Sequence, residues 1–217
     1  MAVTSETARV ETKRRRFSLG GGATGPFIGL IAMCIFLSLA TDTFFSVRNF
    51  LNVMDQVTVI GVMAIGMTLV ILIGGIDLSV GSVLALSAMV MGFLGNTIGL
   101  PFGVAILAAL LAAALCGTVS GLMITQLNMP PFIATLAMMS IARGIASIIT
   151  DGEQIVGFPD WFSNLAIIRY GGFLSATVAT MIVLAFAFWV FLRFRPAGRA
   201  LYAIGGSPEV ARLAGIR

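Results

Sequence analysis

The 217-residue chain contains no histidine. That removes the usual general base, the usual zinc ligand and the Ser–His pairing on which many hydrolases depend. No Gly-x-Ser-x-Gly turn occurs either, which weighs against an intramembrane hydrolase. Cysteine is nearly absent: Cys34 and Cys116 both fall inside apolar runs and read as small buried hydrophobes, so neither a disulfide nor a metal site is expected. A phosphate-binding Gly-rich loop ending in Lys-Ser/Thr is missing, so this chain is not expected to bind or hydrolyse ATP itself. Charge is also scarce, at 10% of residues against 59% hydrophobic. Each polar residue inside an apolar run therefore needs a physical reason to be there.

What is present fixes the class. A mean hydropathy of +1.05 with 25 Gly, 16 Phe and 12 Met lies far outside the globular range. Six apolar stretches run over approximately 26–45, 53–73, 79–99, 102–127, 131–150 and 173–194. Each is near the ~20 residues that cross a hydrocarbon core. The expected fold is all-α: a polytopic membrane protein of six transmembrane helices plus a short cytoplasmic helix. Three regions follow: a basic, disordered leader over 1–25, a spanning region over 26–194 and a cytoplasmic segment over 195–217. Ser38-Leu39-Ala40 resembles a signal-peptide cleavage site, but a long leader precedes it and five spans follow, so cleavage is disfavoured.

Orientation comes from the basic residues. Arg9, Lys13, Arg14, Arg15 and Arg16 precede the first stretch, and Arg193, Arg195, Arg199, Arg212 and Arg217 follow the sixth. An even number of crossings puts both clusters on one side, which the positive-inside rule makes cytoplasmic. The net charge of +4 then reflects orientation, and nothing points to nucleic acid. The one sizeable outward loop, 151–172, holds Asp151, Glu153 and Asp160 among Phe158, Trp161, Phe162 and Tyr170. It fits either an interfacial aromatic belt or a docking surface for an external partner.

Two motifs stand out. In Gly74-Gly75-Ile76-Asp77-Leu78-Ser79-Val80-Gly81-Ser82 the glycines permit an abrupt helix stop, and Asp77 or Ser79 suits the N-cap of a helix restarting near Val80. A capped restart accounts for these residues; the sharper alternative makes Asp77 a gate or coupling residue at the cytoplasmic mouth. The second motif ends in a complete short-helix signature. Ser207 can cap it, Pro208 fits the first helical position, Glu209 suits the positive end and Gly215 can stop it. Val210, Leu213 and Ala214 share one face, with Glu209 and Arg212 beside it. Two turns have no independent stability, so the helix must pack against something, and a soluble subunit fits better than a lipid surface.

Taken in order, Gly-Gly-Ile-Asp-Leu-Ser-Val-Gly-Ser at 74–82 and Gly-Arg-Ala-Leu-Tyr-Ala-Ile-Gly-Gly-Ser-Pro-Glu-Val-Ala-Arg-Leu-Ala-Gly-Ile at 198–216 resemble the permease subunits of ribose-, xylose- and arabinose-type ABC sugar importers. The run Pro-Pro-Phe-Ile-Ala-Thr-Leu at 130–136 and the pair Arg143-Gly144 are similar to the same family. The resemblance implies an inner-membrane permease of a bacterial cell, paired with a second permease copy around a central pathway. Separate cytoplasmic ATP-binding subunits, using ATP and Mg, would drive it, and a periplasmic sugar-binding protein would deliver the substrate. By the same resemblance Ser207, Pro208, Glu209, Val210, Arg212, Leu213 and Gly215 form the ATPase-coupling helix, and Gly74, Gly75, Asp77 and Ser79 a helix break or gate. Permeases of this family continue well past the equivalent of Arg217, so the chain is expected to be the N-terminal part of a larger fold.

Other polar residues are less specific. Arg143 lies about 18 Å into the fifth stretch at ~1.5 Å per residue. By depth alone, Asp55 is the nearest partner for an intramembrane ion pair; snorkelling is the alternative. Asn52, Gln56, Thr58, Thr68, Asn96, Gln126 and Asn128 are candidates to line a pathway. Gly117-Thr118-Val119-Ser120-Gly121 fits close helix contact in lipid. The competing function is half of an ion-coupled secondary transporter, for which the intramembrane acids Asp55 and Asp77 give thin support because both sit near span ends.

Overall fold

The structure, a computed structural model, describes residues 24–216. The basic leader, including Arg9, Lys13, Arg14, Arg15 and Arg16, lies outside the described residues apart from its last two positions, and Arg217 lies outside them too. Two units are formed, the first ending at Leu51 and the second beginning at Asn52.

In the first unit, helix α1 (Thr24–Ala40) is followed by a turn and the start of α2 (Val47–Leu72). Ser46 caps α2 by accepting the Asn49 N–H at 3.2 Å, and the Asn49 amide reaches back to the Phe44 carbonyl at 2.9 Å. The first apolar stretch is thus shorter than its expected 26–45, because the chain turns at 41–46 and helix resumes at Val47 rather than 53. Seventeen residues of α1 rise only about 25 Å, less than a ~30 Å hydrocarbon core. Among the described residues, five helices are long and apolar enough to cross a membrane: Val47–Leu72, Val80–Thr97, Phe102–Thr125, Pro131–Thr150 and Ala176–Phe194. The chain is a multi-pass helical membrane protein by this measure.

The second unit carries α2 onward, then α3 (Val80–Gly92), which passes into a π-helical turn at Phe93–Thr97, α4 (Phe102–Thr125) and α5 (Pro131–Thr150). Helices α3, α4 and α5 pack together through small residues. Along α5, Ala134, Met138, Ala142 and Ala146 recur every fourth position and are buried. Ala142 and Ala146 meet Leu86, with Val83, Cys116 and Ile149 around them. In lipid, apolar area gives little drive for association, so close packing of alanines is what holds such a bundle.

Beyond α5 the chain is not purely helical. The loop folds into α6 (Asp160–Ile167) and an antiparallel hairpin of β1 (Arg169–Tyr170) and β2 (Leu174–Ser175), in register Arg169 with Ser175. Phe102, at the start of α4, sits at the centre of its aromatic residues, edge-on to Phe158, Trp161 and Phe162 at centroid distances of 6.1, 5.7 and 5.0 Å. The chain then continues as α7 (Ala176–Phe194), α8 (Pro196–Gly206) and α9 (Pro208–Leu213). A β-carbon at Gly198 would fall on the Phe191 carbonyl, so glycine there lets α8 fold sharply off the end of α7.

Candidate functional site

The joint between α2 and α3 is built by glycine and a carboxylate. Gly74 takes φ +80° while its N–H bonds the Ile71 carbonyl and that of Gly75 bonds Val70, each at 2.9 Å. This paired closure ends α2 within one residue. Asp77 then starts α3: its Oδ1 accepts the Ser79 N–H at 2.7 Å and the Ser79 hydroxyl at 2.6 Å. Ser79 makes no side-chain cap itself, because its hydroxyl is turned back onto Asp77. Of the two capping residues the sequence offered, Ser79 occupies the N-cap position without a side-chain cap, and Asp77 orders that position by holding the Ser79 N–H and hydroxyl.

The loop is tied to α5 by a residue that sequence reasoning did not single out. Thr135 is buried, and its Oγ1 accepts the Leu78 N–H at 3.2 Å. Its own proton lies within reach of the Pro131 carbonyl at 2.8 Å and the Ile76 carbonyl at 3.2 Å. Beside it is a cavity of about 380 Å³ bordered by Gly74, Asp77, Gly117, Ser120, Gly121 and Thr135, among others. Ser120 Oγ is buried there with no hydrogen-bond partner among the described residues. Gly117 and Gly121 have nothing within 4 Å of where a β-carbon would sit. Gly117 and Gly121 thus leave room for a β-carbon and wall this cavity, while Ser120 between them is buried.

At the same end lie α8 and α9. Ser207 is extended (φ −163°, ψ 108°) and accepts the Val210 N–H at 3.3 Å, with Pro208 in the first turn. Gly215, at φ +80°, stops α9 as its N–H bonds the Arg212 carbonyl and that of Ile216 bonds Ala211, both at 3.0 Å. Ala211 is buried, but Val210 and Leu213 are 63% and 82% exposed, so this apolar face has no cover from the described residues. A β-carbon at Gly205 would fall on the Leu72 carbonyl oxygen, which places the end of α8 backbone-to-backbone against the end of α2.

The opposite end of α2 is held by charge. Arg169 Nη2 donates to Asp55 Oδ2 at 2.8 Å and to Asn52 Oδ1 at 3.0 Å. Ser175 Oγ, 1% exposed, donates to Asp55 Oδ1 at 2.5 Å. Its single proton is thereby committed, so it accepts from Thr177 at 2.9 Å and from the Val178 N–H at 3.3 Å, capping α7. The depth-based pairing of Asp55 with Arg143 is corrected here: both carboxylate oxygens are engaged by the hairpin residues Arg169 and Ser175. Arg143 makes no hydrogen bond or ion pair with any described residue and is exposed. It stands one residue off the buried Ala134/Met138/Ala142/Ala146 face of α5, on a stripe with exposed Ser140 and Ser147.

Most of the polar residues considered for a pathway hold local structure. Asn52 accepts from Arg169; Thr58 and Thr68 bond their own helix at Met54 and Ala64; Asn96 donates to the Val156 carbonyl at 2.9 Å. Asn128 is left-handed at φ 51° in the turn after α4. Gln56 and Gln126 are exposed and make no such bond with described residues. No group of three or more metal-ligating side chains occurs among the described residues.

Comparison with known proteins follows the same lines. Residues 49–217 match the family described as branched-chain amino acid transport system / permease component. The ribose import permease protein RbsC of Bacillus subtilis is 41% identical over 217 residues, an alignment covering 98% of this chain and 66% of that protein. RbsC of Haemophilus influenzae is 42% identical over 88% of this chain and 59% of its own length. The fructose import permease protein FrcC of Rhizobium meliloti is 31% identical over 94% and 59% respectively. The chain thus spans somewhat less than two thirds of these relatives' length. No solved structure matches it.

Proposed function

Since the chain belongs to the family of branched-chain amino acid transport system / permease components, we propose that it is the pathway-forming subunit of an ATP-driven, binding-protein-dependent sugar importer. It is read as a transport component and not an enzyme, with ATP and Mg used by separate cytoplasmic ATP-binding subunits. A second permease copy and a periplasmic sugar-binding protein complete the assembly. The observation that carries sugar over amino acid is the identity of 41% across 98% of the chain with a protein named as a ribose import permease.

Physical features support the parts of this reading. The uncovered apolar face of α9, with Glu209 and Arg212 exposed beside Val210 and Leu213, suits a groove in a soluble ATPase subunit. On that reading Ser207, Pro208, Glu209, Val210, Arg212, Leu213 and Gly215 form the coupling helix, and both it and the N-terminus are cytoplasmic. Helix α1 supplies a sixth crossing, tolerated despite its length by local thinning of the bilayer. Arg143 faces the aqueous pathway, because an unpaired guanidinium deep in a span costs several kcal/mol against lipid. Gly74, Gly75, Asp77 and Ser79 form the break at the cytoplasmic mouth.

Glu209→Arg, or deletion of 207–215, tests the coupling assignment directly. Co-purification of the ATPase subunits with the permease is expected to be lost while membrane insertion is retained. Undiminished co-purification after both changes would remove α9 from the ATPase interface.

A further inference from the structure

At Gly205 the end of α8 lies directly against the backbone at the end of α2. At Gly205 an added β-carbon would overlap the Leu72 carbonyl oxygen, 3.0 Å from its carbon and 3.6 Å from Ile73 Cα. At neighbouring Gly206 nothing lies within 4 Å of the same position. The two glycines differ sharply in environment although they are adjacent in the chain.

We propose that Gly205 is the positioning residue through which displacement of α8 and α9 reaches the 73–79 loop and, from there, α5. This rests on the coupling reading of α9 and adds the route inside the permease. A side-chain contact absorbs small shifts by rotamer change; two backbones in contact have no rotamer to change, so a shift on one side moves the other.

The route is continuous on both sides of Gly205. Toward the ATPase, α9 is joined to α8 at Ser207, whose N–H bonds the Ala203 carbonyl at 3.1 Å and whose carbonyl accepts the Ala211 N–H at 3.0 Å. Toward the membrane, Leu72 is the last residue of α2, and the turn after it is locked by the 2.9 Å bonds of Gly74 and Gly75. Asp77 fixes the far side of the loop to the start of α3 through Ser79. Thr135 then joins Leu78 to α5, the helix that carries Arg143. Each link is a hydrogen bond or a direct contact, and none relies on an exposed flexible side chain.

The test uses the whole transporter, permease with ATPase subunits and binding protein, in proteoliposomes, and reads sugar moved per ATP hydrolysed. Gly205→Ala is expected to keep the ATPase subunits bound and hydrolysis running while that ratio falls about tenfold, within the usual span of inter-site coupling. Gly206→Ala keeps the wild-type ratio. Thr135→Val, nearly isosteric, breaks the downstream link and lowers the ratio about fivefold; it decides the matter if Gly205→Ala does not assemble. An unchanged ratio in Gly205→Ala, an equal loss in Gly206→Ala, or an unchanged Thr135→Val overturns the route. The coupling reading fails separately: ATPase subunits that bind the 207–215 deletion normally reject that reading, whereas subunits that need 207–215 beside an unaffected Gly205→Ala reject only Gly205.

Discussion

Ser175→Ala removes three hydrogen bonds made by one buried oxygen, and its cost follows from their partners. The α7 cap is long at 3.3 Å, so its loss sits at the lower end of the ~0.5–2 kcal/mol range for N-caps. Asp55 Oδ1 loses the 2.5 Å bond donated by the Ser175 hydroxyl, a bond to a carboxylate worth ~1.5–3 kcal/mol. Ser175 is 1% exposed, so water has no room to replace it. The sum is about 2–4 kcal/mol. Equilibrium unfolding of the purified 217-residue chain in mixed micelles, titrated with a denaturing detergent and followed by circular dichroism, measures it. A double-mutant cycle with Asp55→Ala isolates the pair, with an expected coupling of about 1–2 kcal/mol. A loss below ~0.5 kcal/mol, the size of an ordinary surface substitution, or a coupling inside the ~0.3–0.5 kcal/mol scatter of independent sites, would refute the network.

Other perturbations separate role from packing. Arg143→Gln should leave thermal stability and ATPase association close to wild type while reducing sugar flux about tenfold or more, since a lost charge-assisted contact is worth ~1.5–3 kcal/mol; unchanged flux in proteoliposomes rejects its place on the pathway. Gly74→Ala places a β-carbon at φ +80° and should cost ~1 kcal/mol in the same detergent titration, with Gly74→Asn costing less because Asn tolerates the left-handed region. Equal losses for Ala and Asn would show that the cost lies elsewhere than backbone conformation.

The parts of this molecule that were legible in the sequence are those decided within a few residues. The stop at Gly74-Gly75, the Ser207-Pro208 helix start and the Gly215 stop depend on local backbone angles and near-neighbour N–H groups. The Asp55–Arg169 pair joins residues 114 apart, and no local pattern encodes it. Depth along a span suggested Arg143 instead, but depth carries no azimuth. On α5 the buried face is set by the four-residue spacing of Ala134, Met138, Ala142 and Ala146, and Arg143 falls off it. Thr135 was passed over because a lone hydroxyl in an apolar run usually bonds its own helix. It does so here as well, through Pro131, while also taking the Leu78 N–H. Helix α8 and the short hairpin were missed for a related reason: both are stabilised by what they dock on more than by their own sequence.

The sequence distance between Asp55 and its partners also has a meaning in time. Ribosomes add roughly 5–20 residues per second, so Arg169 is made roughly 6–23 s after Asp55, and Ser175 later still. Through that interval α2 carries a carboxylate with neither of its eventual ligands in existence. The Asp55 end of α2 is thus fastened late in synthesis, and a nascent chain arrested before Arg169 presents an unpaired acid to the membrane-insertion and quality-control machinery.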